Sequence, residues 1–260
     1  MKKALCIGIN HFLLPGNDLG GCVADQLSMV SVLDSLGVDK AIGLIDSQAT
    51  KANIMEMLTG LVEQAKAGKL SYLGFTYSAH GTHYPEPQEA DGLGEALVCY
   101  DIAEKGGDWD PATIIKDKEL HNLLNQVPLS CVAEVFLDVC YSGGMDRLFS
   151  LATSKDRYLH NPSNPGGLVR LASTGMGDRL HSNIIVWEAC SEAQTAADAY
   201  ISGGYHGAFT WFWTQEFKKD PKASRVQLLV KTRRALRAAG YGQFPRLKCW
   251  NAKAQAMVGS

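Results

Sequence analysis

Two reactive side chains follow two buried, strand-like stretches of the sequence. The stretch LSYLGFTYSAHG (70–81) carries His80, and the stretch CVAEVFLDVCYSGG (131–144) carries Cys140. Each stretch is apolar, rich in β-forming residues and ends in small residues. A thiol reacts as its thiolate, and a nearby imidazole can take up its proton. The two stretches therefore predict a cysteine nucleophile with a histidine base.

Small residues around both side chains favour this chemistry over the usual role of a cysteine in an apolar run, which is inert packing. They are Ala79, Gly81, Ser142, Gly143 and Gly144, and they leave room for a substrate backbone. The backbone amides of Gly81 and Cys140 are candidate donors to the oxyanion that forms when a carbonyl is attacked.

Strands and helices alternate around these two stretches. The pattern predicts strands over 2–9, 41–45, 70–78, 131–139, 183–189 and 246–250, and helices over 22–36, 50–67, 114–125, 208–218 and 224–239. It also predicts a polar loop over 82–94, a short strand over 95–100 and a helix over 192–200. This order is typical of an α/β fold, with a mainly parallel central sheet and helices on both faces. Ligands of such sheets bind beyond the carboxyl ends of the strands, where His80 and Cys140 are expected.

Composition narrows the class of protein. Of 260 residues, 46% are hydrophobic and 20% are charged, as in soluble globular proteins. The net charge of −2 gives no overall positive electrostatic field that would attract nucleic acid or an anionic membrane. The longest apolar runs are shorter than the roughly 20 residues of a membrane span, and residues 4–9 are too few for a signal-peptide core. We therefore expect a cytoplasmic protein. The seven cysteines are scattered and form no CxxC pair, which argues against a disulfide framework or a structural zinc site.

Motifs along most of the chain resemble those of one enzyme family. YSAHG at 77–81 and DVCYSG at 138–143 are similar to the histidine and cysteine motifs of metacaspases, the caspase-like cysteine peptidases of clan CD, family C14. Further segments resemble the family in the expected order: GCVAD at 21–25, DGLGEALVCYD at 91–101, ACSEAQTAADA at 189–199 and GAFTWFW at 207–213. The resemblance implies a caspase-hemoglobinase fold in which His80 and Cys140 form the catalytic dyad. Val139 and Tyr141 depart from the Ser and His that usually flank the cysteine.

The resemblance also implies an organisation of the chain. A large portion (1–150) would carry the dyad, a linker would span 151–182, and a small portion (183–260) would complete one compact catalytic domain. We expect a monomer of the single-chain type without an adaptor prodomain. An enzyme that cuts after basic residues could process itself within 141–182, as a zymogen does, although an ordinary solvated loop is the alternative. The basic residues there are Arg147, Lys155, Arg157, Arg170 and Arg179.

Specificity for Arg or Lys before the cut bond is a further implication of the resemblance, so the expected partners are proteins and peptides with such sites. Asp25 and Asp138 are the carboxylates at the matching positions, with Cys22 and Ser78 as neighbours. Buried carboxylates are costly unless a cation completes them, and a guanidinium can pair with them bidentately. The alternative roles are a helix N-terminal carboxylate for Asp25, which can coexist with substrate binding, and a turn residue for Asp138.

Calcium is needed by many metacaspases, which bind it through a cluster of acids. The nearest candidates are Asp91, Asp117 and Asp146. Lys118 stands where a second acid would be expected, so we expect no required cofactor and activity that survives EGTA. His83 completes an HxxH pattern with His80, but without supporting cysteines or carboxylates it indicates a loop histidine rather than a metal ligand.

Two other classes of protein remain as alternatives. A catalytically silent pseudoprotease would use the same fold as a binding or regulatory partner, and the presence of both His80 and Cys140 argues against it. A flavodoxin-like small-molecule binder would need a phosphate loop. The glycines after the first strand do not form GxGxxG.

Overall fold

A six-stranded sheet forms the centre of the molecule in the computed structural model, which describes residues 1–89, 92–141, 154–163, 180–191 and 196–260. The strands are β1 (Lys2–Gly8), β2 (Lys40–Ile45), β3 (Tyr72–Ser78), β4 (Gly81–Pro85), β5 (Leu93–Val98), β6 (Glu104–Lys105), β7 (Asp108–Trp109), β8 (Ile114–Lys116), β9 (Val132–Asp138), β10 (Ser154–Asp156), β11 (Ile184–Glu188), β12 (Ala197–Ile201), β13 (Gly204–Gly207) and β14 (Arg246–Lys248). The helices are α1 (Cys22–Ser35), α2 (Lys51–Lys66), α3 (Asp117–Leu124), α4 (Ala208–Lys219), α5 (Arg225–Ala238) and α6 (Asn251–Ala254).

The central sheet has the strand order β14-β11-β9-β3-β1-β2. All neighbouring pairs are parallel except β11 with β14, which is antiparallel. The prediction of a mainly parallel sheet is therefore confirmed. Strands β3 and β9 are neighbours, and their last residues, Ser78 and Asp138, lie opposite each other. His80 and Cys140 consequently leave the sheet side by side.

Helices cover both faces of the sheet, as the alternating pattern predicts. Apolar residues of α2 and α3, such as Ile54 and Leu120, belong to one buried cluster. Residues of α1, α4 and α5, such as Val32 and Trp213, belong to another. Within the part of the chain that the structure describes, none of these helices could cross a lipid bilayer.

Three segments differ from the sequence-based prediction. The expected loop over 82–94 is wrong at both ends, because β4 starts at Gly81 and β5 at Leu93, and the two form an antiparallel hairpin. Strand β5 confirms most of the short strand expected over 95–100. At the start of the predicted 114–125 helix, β8 instead pairs with β5. The predicted helix over 192–200 is also wrong in its described part, where β12 pairs with both β10 and β13. In each case tertiary pairing overrides a weak local preference. Residues 90–91 and 192–195 lie outside the described residues.

A buried ion pair joins the middle of β9 to the C-terminal part of the chain. Both oxygens of Glu134 accept hydrogen bonds from the Arg225 guanidinium, at 2.7 and 2.9 Å, and both side chains are fully buried. Glu134 also accepts bonds from the Trp187 ring nitrogen at 3.0 Å and from the Gly259 amide at 3.0 Å. Through these hydrogen bonds, Glu134 links strand β9 to β11, to α5 and to the last residues of the chain.

Candidate active site

His80 lies two residues beyond β3 with only 5% of its surface exposed. Its Nε2 is 2.8 Å from the carbonyl oxygen of Asn17, and because a carbonyl only accepts, Nε2 carries the hydrogen. Burial lowers the pKa of His80 to about 4, although the bond to Asn17 opposes this shift. At neutral pH the imidazole is therefore uncharged, and its buried Nδ1 can accept a proton.

Two backbone amides at the strand ends point at one carbonyl oxygen. The Gly81 amide donates to the oxygen of Arg157 at 2.9 Å, and the Cys140 amide donates to the same oxygen at 3.2 Å. A side chain at position 81 would collide with the Cys140 carbonyl, so only glycine allows this approach. The arrangement has the geometry of an oxyanion hole, occupied by the chain's own peptide group.

The side chain of Arg157 fills a pocket of three carboxylates and is itself fully buried. Its Nη2 lies 2.7 Å from an oxygen of Asp25 and 3.0 Å from an oxygen of Asp198. Its Nη1 lies 3.3 Å from an oxygen of Asp138 and donates to the Ser78 hydroxyl at 2.6 Å. The sequence-predicted Asp25, Asp138 and Ser78 thus meet around one guanidinium.

Backbone donors hold each carboxylate in place. Asp25 accepts a hydrogen bond from the Gly207 amide at 3.0 Å. Asp138 accepts from the Thr210 amide at 3.1 Å and from the Thr210 hydroxyl at 2.7 Å. Asp198 accepts from the Gly20 and Gly21 amides at 2.7 and 2.9 Å. Such fixed donors offset part of the cost of burying acids before any cation arrives.

Cys22 lies next to the pocket, as the sequence predicts, whereas Asp198 is a pocket acid that the sequence did not reveal. Cys22 is fully buried beside the pocket, and burial raises the pKa of its thiol while the Arg157 charge opposes that rise. Asp198 lies within the segment at 189–199 that resembles the family, but no local feature marks its carboxylate. The same is true of the Asn17 carbonyl, because a backbone group leaves no trace in the residue type.

The charges in the pocket do not balance. Asp25, Asp138 and Asp198 are all buried, and one guanidinium can neutralise only one of them. Burial and the neighbouring Asp138 raise the pKa of Asp25 to about 7, although Arg157 opposes the rise. Asp25 therefore gains and loses its proton near neutral pH, well above its ordinary pKa of 3.8.

This raised pKa predicts how Asp25 contributes to stability. Between about pH 4 and pH 7 the folded protein keeps a proton on Asp25 that the unfolded chain has lost, so the contribution of Asp25 to the free energy of unfolding falls as pH rises. We expect the difference in unfolding free energy between the wild type and Asp25→Asn to decrease across this range in urea titrations. The opposite contribution of His80, whose pKa is lowered, is present in both proteins and cancels. A difference that grows with pH would contradict the raised pKa.

The segment around Arg157 lies across the strand ends like an added strand. On one side β10 pairs antiparallel with β12, with Asp156 opposite Ala197. The Arg157 amide donates to the Ala196 carbonyl at 3.1 Å, and beyond it the Leu159 amide donates to the Gly81 carbonyl at 2.9 Å. This is how an extended peptide binds by strand addition.

The remaining sequence-predicted residues lie elsewhere or outside the described residues. Asp117 is the first residue of α3, where its Oδ1 accepts from the Lys118 amide at 2.8 Å and from the Tyr84 hydroxyl at 3.2 Å. The Lys118 ammonium pairs with Glu86 and Glu89 at 3.3 and 3.1 Å. Among the described residues no cluster of three or more His, Cys, Asp or Glu could hold a metal ion. Outside them lie Asp91, Asp146, Ser142, Gly143, Gly144, Arg147, Arg170 and Arg179.

Comparisons with known proteins point to one family. Residues 2–148 match the family model "Metacaspase, peptidase C14 domain". Metacaspase-1 of Coccidioides immitis is 30% identical over 95% of this chain, which spans 61% of that relative's length. Metacaspase-1 of Ajellomyces capsulatus is also 30% identical over 95% of this chain, which spans 79% of its length.

Two solved structures share the fold at low sequence identity. A protein from Geobacter sulfurreducens matches over 100% of this chain and 99% of its own, with a TM-score of 0.71 at 20% identity. Caspase-1 from Spodoptera frugiperda matches over 95% of this chain and 85% of its own, with a TM-score of 0.61 at 13% identity. The expected caspase-like fold is therefore confirmed.

Proposed function

Because this chain belongs to the metacaspase family of cysteine peptidases, we propose that it is an endopeptidase that cleaves after Arg or Lys. Cys140 is the nucleophile, His80 is the base, and the pocket of Asp25, Asp138 and Asp198 binds the basic side chain. The same site cuts the chain's own bond between Arg157 and Tyr158.

The observation that carries this proposal is the placement of Arg157. Its guanidinium lies in the acidic pocket, while its carbonyl oxygen accepts from the amides of Gly81 and Cys140. A substrate needs both contacts at once, because the first selects the side chain and the second stabilises the charge that develops during attack. Arg157 is one of the five basic residues of the 141–182 segment, and its position supports self-processing after this residue.

The reaction follows from these positions. His80 takes the proton of the Cys140 thiol, and the sulfur forms a bond to the carbonyl carbon of the basic residue. The carbonyl oxygen gains negative charge and is held by the amides of Gly81 and Cys140. The carbon–nitrogen bond then breaks, and the leaving amine takes the proton from His80. Water next gives a proton to His80, and its oxygen forms a bond to the carbon of the thioester. The carbon–sulfur bond breaks, and the sulfur takes the proton back from His80, which releases the acid and restores the thiol.

An Asp25→Ala variant tests the pocket. We expect kcat/KM for peptides with Arg or Lys before the cut to fall by about 100-fold, because a buried charged partner is lost, while peptides with Asp at that position are poor substrates of either protein. Asp34→Ala is the matched control, since Asp34 lies exposed on the same helix. Equal turnover of Arg peptides by the Asp25 and Asp34 variants would contradict the pocket assignment.

A further inference from the structure

The residue after Arg157 occupies a second binding position. The carbonyl of Arg157 lies between two amide donors, so the bond in line for cleavage joins Arg157 to Tyr158. Tyr158 is therefore the first residue on the leaving side. Only 7% of its surface is exposed, which is unusual for a residue that only connects two elements of the fold.

Main-chain bonds fix where the side chain of Tyr158 points. Tyr158 forms a parallel bridge with Gly81 at the start of β4. The Leu159 amide donates to the Gly81 carbonyl at 2.9 Å, and the Thr82 hydroxyl donates to the Leu159 carbonyl at 2.7 Å. These contacts do not depend on the sequence of the bound segment, so any peptide that follows this path would place its leaving-side residue in the same position.

The side chain of His83 meets Tyr158 there. His83 Nδ1 lies 3.2 Å from the phenol oxygen, and the two rings make an edge contact with their centroids 5.7 Å apart. His83 is itself 2% exposed. It follows Gly81 by two residues on β4, so it lies on the same face of that strand as the oxyanion donor. It does not belong to the bound segment.

This pair of contacts discriminates among side chains. A phenylalanine would keep the edge contact and lose the hydrogen bond, and an alanine would lose both. A charged side chain would be buried here at a cost. Burial, together with nearby Cys140, raises the pKa of Tyr158 to about 12, so the phenol keeps its proton and remains both donor and acceptor.

We propose that His83 forms a leaving-side subsite that selects tyrosine as the residue after the cut bond. The preferred cleavage points in substrate proteins are then a basic residue followed by tyrosine. This inference rests on the proposed function and deepens it. His83 acts on the choice of substrate and is separate from the His80–Cys140 dyad.

A competition experiment tests the subsite. Two peptides are mixed with the full-length protein: SKDRYLHN, which repeats residues 154–161, and its analogue with alanine in place of tyrosine. The ratio of their kcat/KM values is read by mass spectrometry and does not depend on the fraction of active enzyme. We expect the tyrosine peptide to be favoured by about tenfold. A phenylalanine analogue should fall about threefold below tyrosine.

Variants of His83 separate the two contacts. His83→Phe should keep the preference for an aromatic residue over alanine and lose the preference for tyrosine over phenylalanine. His83→Ala should lose most of both. His160→Ala is the control, because the His160 ring also contacts Tyr158, at 4.8 Å, but belongs to the segment that the added peptide replaces. We expect it to leave both ratios unchanged.

The outcomes are distinct. A wild-type ratio near one, with cleavage after Arg in both peptides, overturns the subsite and leaves the proposed function standing. Ratios that His83→Phe leaves unchanged overturn the role of the hydrogen bond. If neither peptide is cut, the proposed function fails, and the subsite fails with it.

Discussion

Replacing Cys140 with alanine is expected to abolish peptide cleavage and to lower kcat/KM for Arg peptides by at least about 10⁴-fold, the scale on which other peptidases lose rate without their nucleophile. The sulfur is the atom that forms the covalent intermediate, so its removal takes away the nucleophile. Mass spectrometry of the wild type should show fragments that end at Arg157 and begin at Tyr158. The Cys140→Ala protein should remain intact.

Cys249→Ala is the control for this variant. Cys249 is a partly exposed free cysteine beyond β14, so its loss should leave both readouts unchanged. Persistence of the same fragments in Cys140→Ala would show that another protease produces them. If the wild type gives no fragments and an Arg chloromethyl ketone does not label Cys140, the chain is a silent binding partner with a peptidase fold.

Replacing Arg157 with alanine is expected to lower the free energy of unfolding by about 3–5 kcal/mol, the usual cost of removing one partner of a buried ion pair. Three buried carboxylates would lose the cation that they surround. The loss should be smaller at pH 5 than at pH 8, because Asp25, whose pKa is raised to about 7, carries less negative charge at pH 5 and needs its cation less. Urea titrations at the two pH values measure it, with parent and variant both carrying Cys140→Ala so that neither protein cuts itself. Lys155→Ala, at an exposed position two residues earlier, is the control.

A ligand that supplies the missing cation tests whether Arg157 stabilises the fold by binding in the acidic pocket or only by general packing. N-acetylarginine amide should raise the melting temperature of Arg157→Ala, because a ligand that binds only the folded state stabilises it. It should do nothing for the double variant that also carries Asp25→Ala. A cost below about 1 kcal/mol, which is typical of an exposed pair, together with no response to the ligand, would contradict the role of Arg157 as an occupant of the pocket.

The part of the site that could be predicted is the part that follows the strands. The apolar runs before His80 and Cys140 predict their strands, and parallel pairing of β3 with β9 brings the strand ends together. Strand β4 of the hairpin was missed because Thr82 and His83 are polar residues that tertiary pairing buries.

The occupant of the pocket could not be predicted from the sequence. Arg157 is one of five basic residues in the 141–182 segment, and nothing in the sequence around it distinguishes it from the others. Its partner Asp25 is 132 positions away, and the contact exists only once β10 has paired with β12. Asp198, which β12 presents, was missed for the same reason.

The pairing of β9 with β11 determines what a cut after Arg157 would leave behind. Strand β9 and Glu134 lie before the cut, whereas β11 and Arg225 lie after it, yet they share one sheet and one buried ion pair. The cut chain would therefore remain a heterodimer of two fragments, held together by the shared sheet and the buried ion pair. Its unfolding would become a dissociation governed by mass action, so its stability would depend on protein concentration.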